Sequence, residues 1–287
     1  MSVFSHSRLS SYENCPRQYA YRYLEDVKTD VEGVEAFLGK RVHEVLERLY
    51  HHVRQHGRPP TLGQVHDRFK RDWRQHWHAN VRIVRAENDE GFYVEHGERC
   101  LSNYYRAQYP FDQQQTVAVE LPITLSLDEA GQYRMRGVID RIVRSGEGRY
   151  EVHDYKTSAS LPPRWRLERD RQLALYQIGI EQCYRDVREV ELVWHYLAFG
   201  KTIRQRRSAE EMAELRRETM QRIDEVQAAR EFPTRPSQLC RWCEFREICP
   251  AGRGEPAGEA DPPEPSAAPL APPGAEPALA RGQLSLL

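Results

Sequence analysis

The stretch "GVIDRIVRSGEGRYEVHDYKT", residues 137–157, places Asp140, Asp154 and Lys156 within one short hairpin. Runs of β-branched and aromatic residues on either side of "SGEG" predict two antiparallel strands joined by a tight turn. With that turn centred on Glu147, Asp140 falls opposite Asp154, and directly opposed Cβ atoms lie about 5 Å apart. Strand side chains alternate with period two, so Asp154 and Lys156 share a face. Val138, Ile142 and Val152 are assigned to the same face, which is therefore predicted to be the buried one. Ile139, Val143, His153 and Tyr155 fall on the other.

Two carboxylates at that separation repel unless a cation sits between them. A hard divalent ion such as Mg²⁺ or Mn²⁺ suits oxygen ligands of this kind. The Lys156 ammonium could orient or activate a water, or offset charge building on a phosphate. A half-buried ion pair between Lys156 and one aspartate accounts for the same residues without a metal, so the hairpin alone leaves both readings open.

Outward from the hairpin, "TVAVELPITLSL" (116–127) alternates as a strand and "EVELVWHYLAF" (189–199) reads as another. Helical spacing predicts a helix over 34–56, helical structure across 62–108, a helix in "RDRQLALYQIGIEQCYRD", and a charged one in "AEEMAELRRETMQRIDEVQAAR". The order is helix, three antiparallel strands, helix, strand, helix, a mixed α/β (α+β) core. His43 lies one turn after Gly39, beside the apolar stripe of the first helix. Gly39 is read as admitting a neighbouring backbone. A neutral imidazole at that edge could ligate a metal, or be structural. Gln172 and Tyr176, four apart, share a helix face; they could touch a phosphate, or be an exposed Gln and a half-buried Tyr.

The 287 residues are 39% hydrophobic and 30% charged, with a formal net charge of −1. Residues 251–287 hold two Arg against five acids, leaving +2 on the rest. A near-neutral total can hide a basic groove, so it neither supports nor excludes nucleic acid. The opening "MSVFSHSRLSSYENC" has no apolar leader and no long apolar run follows, so a cytoplasmic, nucleoid-associated protein with no membrane partner is expected. The last 37 residues contain eight Pro, nine Ala and no aromatic residue, the composition of a disordered tail.

"GVIDRI" followed by "VHDYKT" resembles motifs II and III of the PD-(D/E)XK nuclease superfamily. "LGKRVHEVLE" is similar to the histidine motif of its RecB-type branch, and "QLALYQ" to the Gln/Tyr motif. The resemblance implies a restriction-endonuclease-like mixed sheet flanked by helices. His43, Asp140 and Asp154 would hold Mg²⁺ or Mn²⁺, Lys156 would be the catalytic lysine, and Gln172 and Tyr176 would assist. Glu120, in "VAVELP", stands where many relatives carry a Glu, with its role left open. "CRWCEFREIC" spaces Cys240, Cys243 and Cys249 as C-x2-C-x5-C, with Cys15 far upstream. This looks like the iron–sulfur subfamily, which includes the AddB-type helicase-nucleases and the CRISPR-adaptation nucleases. Four thiolates suit a [4Fe–4S] cluster or a structural Zn²⁺; the resemblance favours the cluster, as a clasp between the chain's ends. Cys100 and Cys183 match nothing and are read as buried spectators.

The expected domain plan is a nuclease domain over 1–250, with a helical part at about 34–110, a core at about 116–230 and the iron–sulfur patch, then the tail over 251–287. The tail ends in Gln283, Leu284, Ser285, Leu286 and Leu287, which resemble the short peptide that docks bacterial DNA-handling proteins on the sliding clamp. Tyr19, Tyr21, Tyr23, Arg17 and Arg22 could stack bases and meet phosphates, or simply pack the N-terminal segment. The leading expectation is a metal-dependent DNA exonuclease acting on single strands or ends in repair or recombination. The alternatives are a non-catalytic iron–sulfur DNA-end binder or accessory subunit, tethered to the clamp or to a helicase, and a CRISPR spacer-acquisition nuclease.

Overall fold

In the computed structural model, which describes residues 3–254, the hairpin forms the middle of a six-stranded sheet. In chain order the elements begin with β1 (Phe4–Ser5), α1 (His6–Asn14), α2 (Pro16–Tyr23), β2 (Glu32–Gly33), α3 (Val34–His56), α4 (Leu62–His76), β3 (Val81–Arg82) and α5 (Glu90–Gln108). They continue with β4 (Gln115–Ser126), β5 (Arg134–Gly146), β6 (Arg149–Lys156), α6 (Arg164–Glu168), α7 (Arg171–Cys183), β7 (Glu189–Tyr196), β8 (Lys201–Gln205) and α8 (Ala209–Ala228).

α3 forms where the sequence places it. Its apolar stripe of Phe37, Leu38, Val42, Val45, Leu46 and Leu49 is buried, and Gly57 ends it in a left-handed conformation (φ 66°) that costs glycine little. The predicted 62–108 region resolves into α4 and α5. Thr61 and Gln64 close a capping box on the first, and the Asp89 side chain caps the second. The N-terminal helices and β8 lie in segments where no periodic pattern predicts them.

β4, β5 and β6 are antiparallel, β6 and β7 parallel, and β7 and β8 antiparallel. β5 has two edges. β4 occupies one, while β6 and, further along, the parallel β1 share the other. The sheet is covered on both sides of the hairpin. One core contains Ile142 and Val152 with the α7 residues Leu173, Ile178 and Ile180; the other gathers α3, α4 and α5 around Tyr155.

The expectation of a single buried face is therefore corrected. Val143, His153 and Tyr155 are as buried as Ile142 and Val152, whereas Val138 is 43% exposed. Strict alternation also fails inside β5. Ile139 joins the α7-side core together with Ile142, and an added Cβ on Gly137 would strike Tyr176 of α7. Gly39 needs no special freedom: a Cβ there would meet Thr157 Oγ1 at an ordinary 3.5 Å. Cys100 is buried as expected, but Cys183 is exposed at the end of α7. Among the described residues no helix is long and apolar enough to cross a membrane. The tail and its terminal residues 283–287 lie outside the described residues.

Candidate active site

The β5–β6 ladder keeps the predicted register from Arg141↔His153 to Arg144↔Tyr150 and is not paired beyond Arg141 toward the acids. There the Tyr155 N–H donates not to a strand carbonyl but to Asp140 Oδ2 at 2.8 Å. The carboxylate takes the place of the next rung. Tyr155 also uses its carbonyl, which accepts from His43 Nε2 at 2.9 Å. One residue's main chain thus orients two site side chains, and it leaves His43 Nδ1 facing inward.

Nδ1 lies 3.5 Å from Asp140 Oδ1 and 3.7 Å from Glu120 Oε1. Ligand atoms of His43, Glu120 and Asp140 all fall within 4.8 Å of one another, a group that could hold a divalent ion. Glu120 reaches it through a left-handed backbone, φ 44°, on the strand opposite Asp140. Such a conformation costs a non-glycine residue about 1–3 kcal/mol and concentrates at functional sites.

Asp154 stands apart from that group, turned toward Lys156. Lys156 Nζ lies 3.0 Å from Asp154 Oδ1 and 2.8 Å from Oδ2, and donates to Gln172 Oε1 at 3.1 Å. Gln172 in turn donates to the Tyr176 hydroxyl at 3.1 Å. α7 delivers both residues: Asp170 caps it through Leu173 N and accepts from Trp194 Nε1, fixing the helix start beside β6 and β7.

The charges bear on one another. Burial pushes the Asp154 carboxyl up to about 6, opposed by Lys156 and reinforced by Asp140. Burial would drain the Lys156 charge, but Asp154 and then Asp170 outweigh it and hold the ammonium protonated. Burial likewise opposes charge on His43, yet Asp140 and Glu120 raise it well above its ordinary value. Burial lifts the Tyr176 hydroxyl to about 12, keeping it neutral.

The donor set fits a divalent ion. A metal-binding imidazole commonly donates its second N–H to a backbone carbonyl, as His43 does to Tyr155. Asp154 Oδ2 is buried and has the Lys156 ammonium as its partner at 2.8 Å.

Sequence reasoning missed two residues here. Gly137 makes room for Tyr176, since a Cβ would lie 2.6 Å from its Cε1; its place in "GVID" was the available signal. Tyr155 acts through its main chain, which no side-chain pattern reveals.

Tyr19 and Tyr21 are not free to form a stacking platform. Tyr19 and Tyr21 are buried, Tyr19 stacks on Phe232 and Tyr21 packs against Phe245. Arg17 pairs with Glu25 and Arg22 with Glu244. Cys15, Cys240, Cys243 and Cys249 line one cavity of about 170 Å³. Arg235 N–H points to Cys15 Sγ and Ser237 N–H to Cys240 Sγ, each at 3.4 Å. Burial raises the Cys243 thiol to about 11.

With this geometry in place, comparison with known proteins gives a family. Residues 3–250 match the model of the PD-(D/E)XK nuclease superfamily, and the chain belongs to that superfamily. Among solved structures, a "Putative exonuclease" from Eubacterium rectale superposes with a TM-score of 0.51 at 15% identity, covering 91% of this chain and 96% of that one. The likeness shows a common fold, the helix-flanked mixed sheet of the restriction-endonuclease type. The structure of SSO0001, 14% identical over 86% of this chain and 95% of that one, has a TM-score of 0.33 and adds nothing to it. No curated protein sequence matches.

Proposed function

We propose that this nuclease-family chain is a divalent-metal-dependent DNA nuclease that degrades single strands or ends in repair or recombination. The observation that carries the reading is the convergence of His43, Glu120 and Asp140 beside a lysine secured by Asp154 and Gln172. Those three side chains would hold Mg²⁺ or Mn²⁺, with Asp154 as a further ligand. Such an ion, when bound, supplies a polarised water and neutralises phosphate charge. Lys156, kept protonated, offsets the charge that grows on the phosphoryl oxygens as the water attacks. Gln172 holds the lysine in position and Tyr176 orients the Gln172 amide.

The four cysteines are proposed to bind a [4Fe–4S] cluster. The backbone N–H groups aimed at Cys15 and Cys240 suit thiolate ligands of such a cluster. The terminal residues 283–287 are proposed to dock on a bacterial sliding clamp, a tether that raises local concentration at DNA. A helicase is the other partner class proposed.

The test uses anaerobically purified protein and end-labelled single-stranded DNA with Mn²⁺, beside a circular strand. The wild type should degrade the linear strand, and Asp154→Ala and Lys156→Ala should each lose about 10²–10³-fold. Resistance of the circle would establish the need for an end. Absence of metal-dependent cleavage by all three proteins would make the non-catalytic DNA-end binder the better account. Equal clamp binding with and without residues 283–287 would remove the tether.

A further inference from the structure

The first half of β5 and its partner β4 form a ribbon with two unlike faces. Odd-numbered Ile123, Leu125 and Met135 are buried in the α7-side core. Along the other face run the cross-strand pairs Pro122↔Val138, Thr124↔Arg136 and Ser126↔Arg134. All but Ser126 are exposed, and Ser126 is half-buried. This face leads straight to Glu120 and Asp140, two residues beyond Pro122 and Val138.

The order along it is informative. Next to the acids is an apolar step, Pro122 with the 43% exposed Val138. Beyond it stand Arg136 and then Arg134, each beside a small hydroxyl residue. Arg144 of β5 pairs with Asp186, Arg204 of β8 with Glu191, and Arg206 just beyond β8 with Glu189. Arg134 and Arg136 form no ion pair among the described residues. Residues two apart on a strand are spaced about 6.8 Å, close to the separation of successive phosphates in an extended polynucleotide.

We infer that the open face of the β4–β5 ribbon is the docking track for a single nucleic-acid strand, with Arg136 and Arg134 on successive phosphates and the Pro122–Val138 step under the intervening sugar and base. This rests on the nuclease reading, which supplies the scissile phosphate at Asp140. It adds the path by which the strand approaches.

The test is the salt dependence of binding to a short fluorescein-labelled oligothymidylate, with Ca²⁺ replacing Mg²⁺ to hold off cleavage. Each phosphate contact on a single strand contributes about 0.7 to the slope of log K against log salt, so R134Q/R136Q should flatten it by about 1.4. Between about 50 and 200 mM salt the wild type should then lose about sevenfold more affinity than the variant. R134K/R136K should keep the wild-type slope, and so should R58Q/R185Q, which removes equal charge from exposed sites off the ribbon. Should the Gln pair unfold, R134Q and R136Q singly should each remove about half the effect. An unchanged slope in R134Q/R136Q, or an equal change in R58Q/R185Q, overturns the track while leaving cleavage by the wild type intact. Failure of the wild type both to bind and to cleave any strand would instead bring down the nuclease reading.

Discussion

Replacing Gly137 by Ala should disable the site from outside its charged residues. The new Cβ would lie 2.6 Å from Tyr176 Cε1 and 3.4 Å from Cζ and Oη. Carbon atoms in contact prefer about 3.5–4.0 Å, so the ring must retreat by about 1 Å. Tyr176 is only 7% exposed, and overpacking of this kind costs about 1–3 kcal/mol. For a chain of this size that is a fall of about 2–12 °C in melting temperature. The retreat also pulls the Tyr176 hydroxyl from Gln172, which holds Lys156; a misplacement of about 1 Å can cost about 10²-fold in rate. Calorimetry and the cleavage assay read the two effects. The decisive comparison is the same substitution in a Tyr176→Ala background. With the ring gone, and with Gly137 outside the left-handed region, Ala should be neutral or stabilising by about 0.4–1 kcal/mol, because it restricts the unfolded chain. A change of sign gives a coupling of at least about 1 kcal/mol. An equal cost in both backgrounds would refute the steric reasoning.

Three further outcomes are expected. Glu120→Gln should weaken Mn²⁺ binding at least about tenfold in a calorimetric titration; unchanged affinity would put this carboxylate outside the ligand set. In the metal-free protein, Asp154 and His43 both hold protons more tightly folded than unfolded, so stability present at lower pH is lost as pH rises through about 6 and above. Mn²⁺ must displace those protons, so the gain in melting temperature on adding it should grow from about pH 6 to 8, and a flat profile would contradict the assignment. Cys15→Ala or Cys243→Ala should lose visible absorbance and melt lower; variants that stay folded and equally thermostable would rule out a stabilising cluster.

The hairpin was legible because its information is local. Turn residues at 145–148 and β-branched flanks set the register, and the structure keeps it as far as Arg141↔His153. Alternation then misleads, because the strands part at Asp140 and the Tyr155 N–H bonds a side chain instead. Asp140, His43 and Lys156 could be singled out as chemically unusual for their positions. Glu120 could not be given a role, since its approach depends on a left-handed φ that no propensity predicts for Glu. Tyr19 and Tyr21 carried two open readings, and their packing against Phe232 and Phe245 buries both. That partner segment is about two hundred residues away in the chain, beyond the reach of periodicity.

The pairing of β1 with β5 has a consequence for synthesis. Phe4 and Ser5 find their strand partners, Met135 and Arg136, only after roughly 130 more residues have been made, which at about 5–20 residues per second takes about 7–26 s. Until then Phe4 and Leu9, almost wholly hidden in the finished fold, wait on the ribosome without a place to pack. The nascent N-terminus thus carries apolar side chains whose strand partners come late in synthesis.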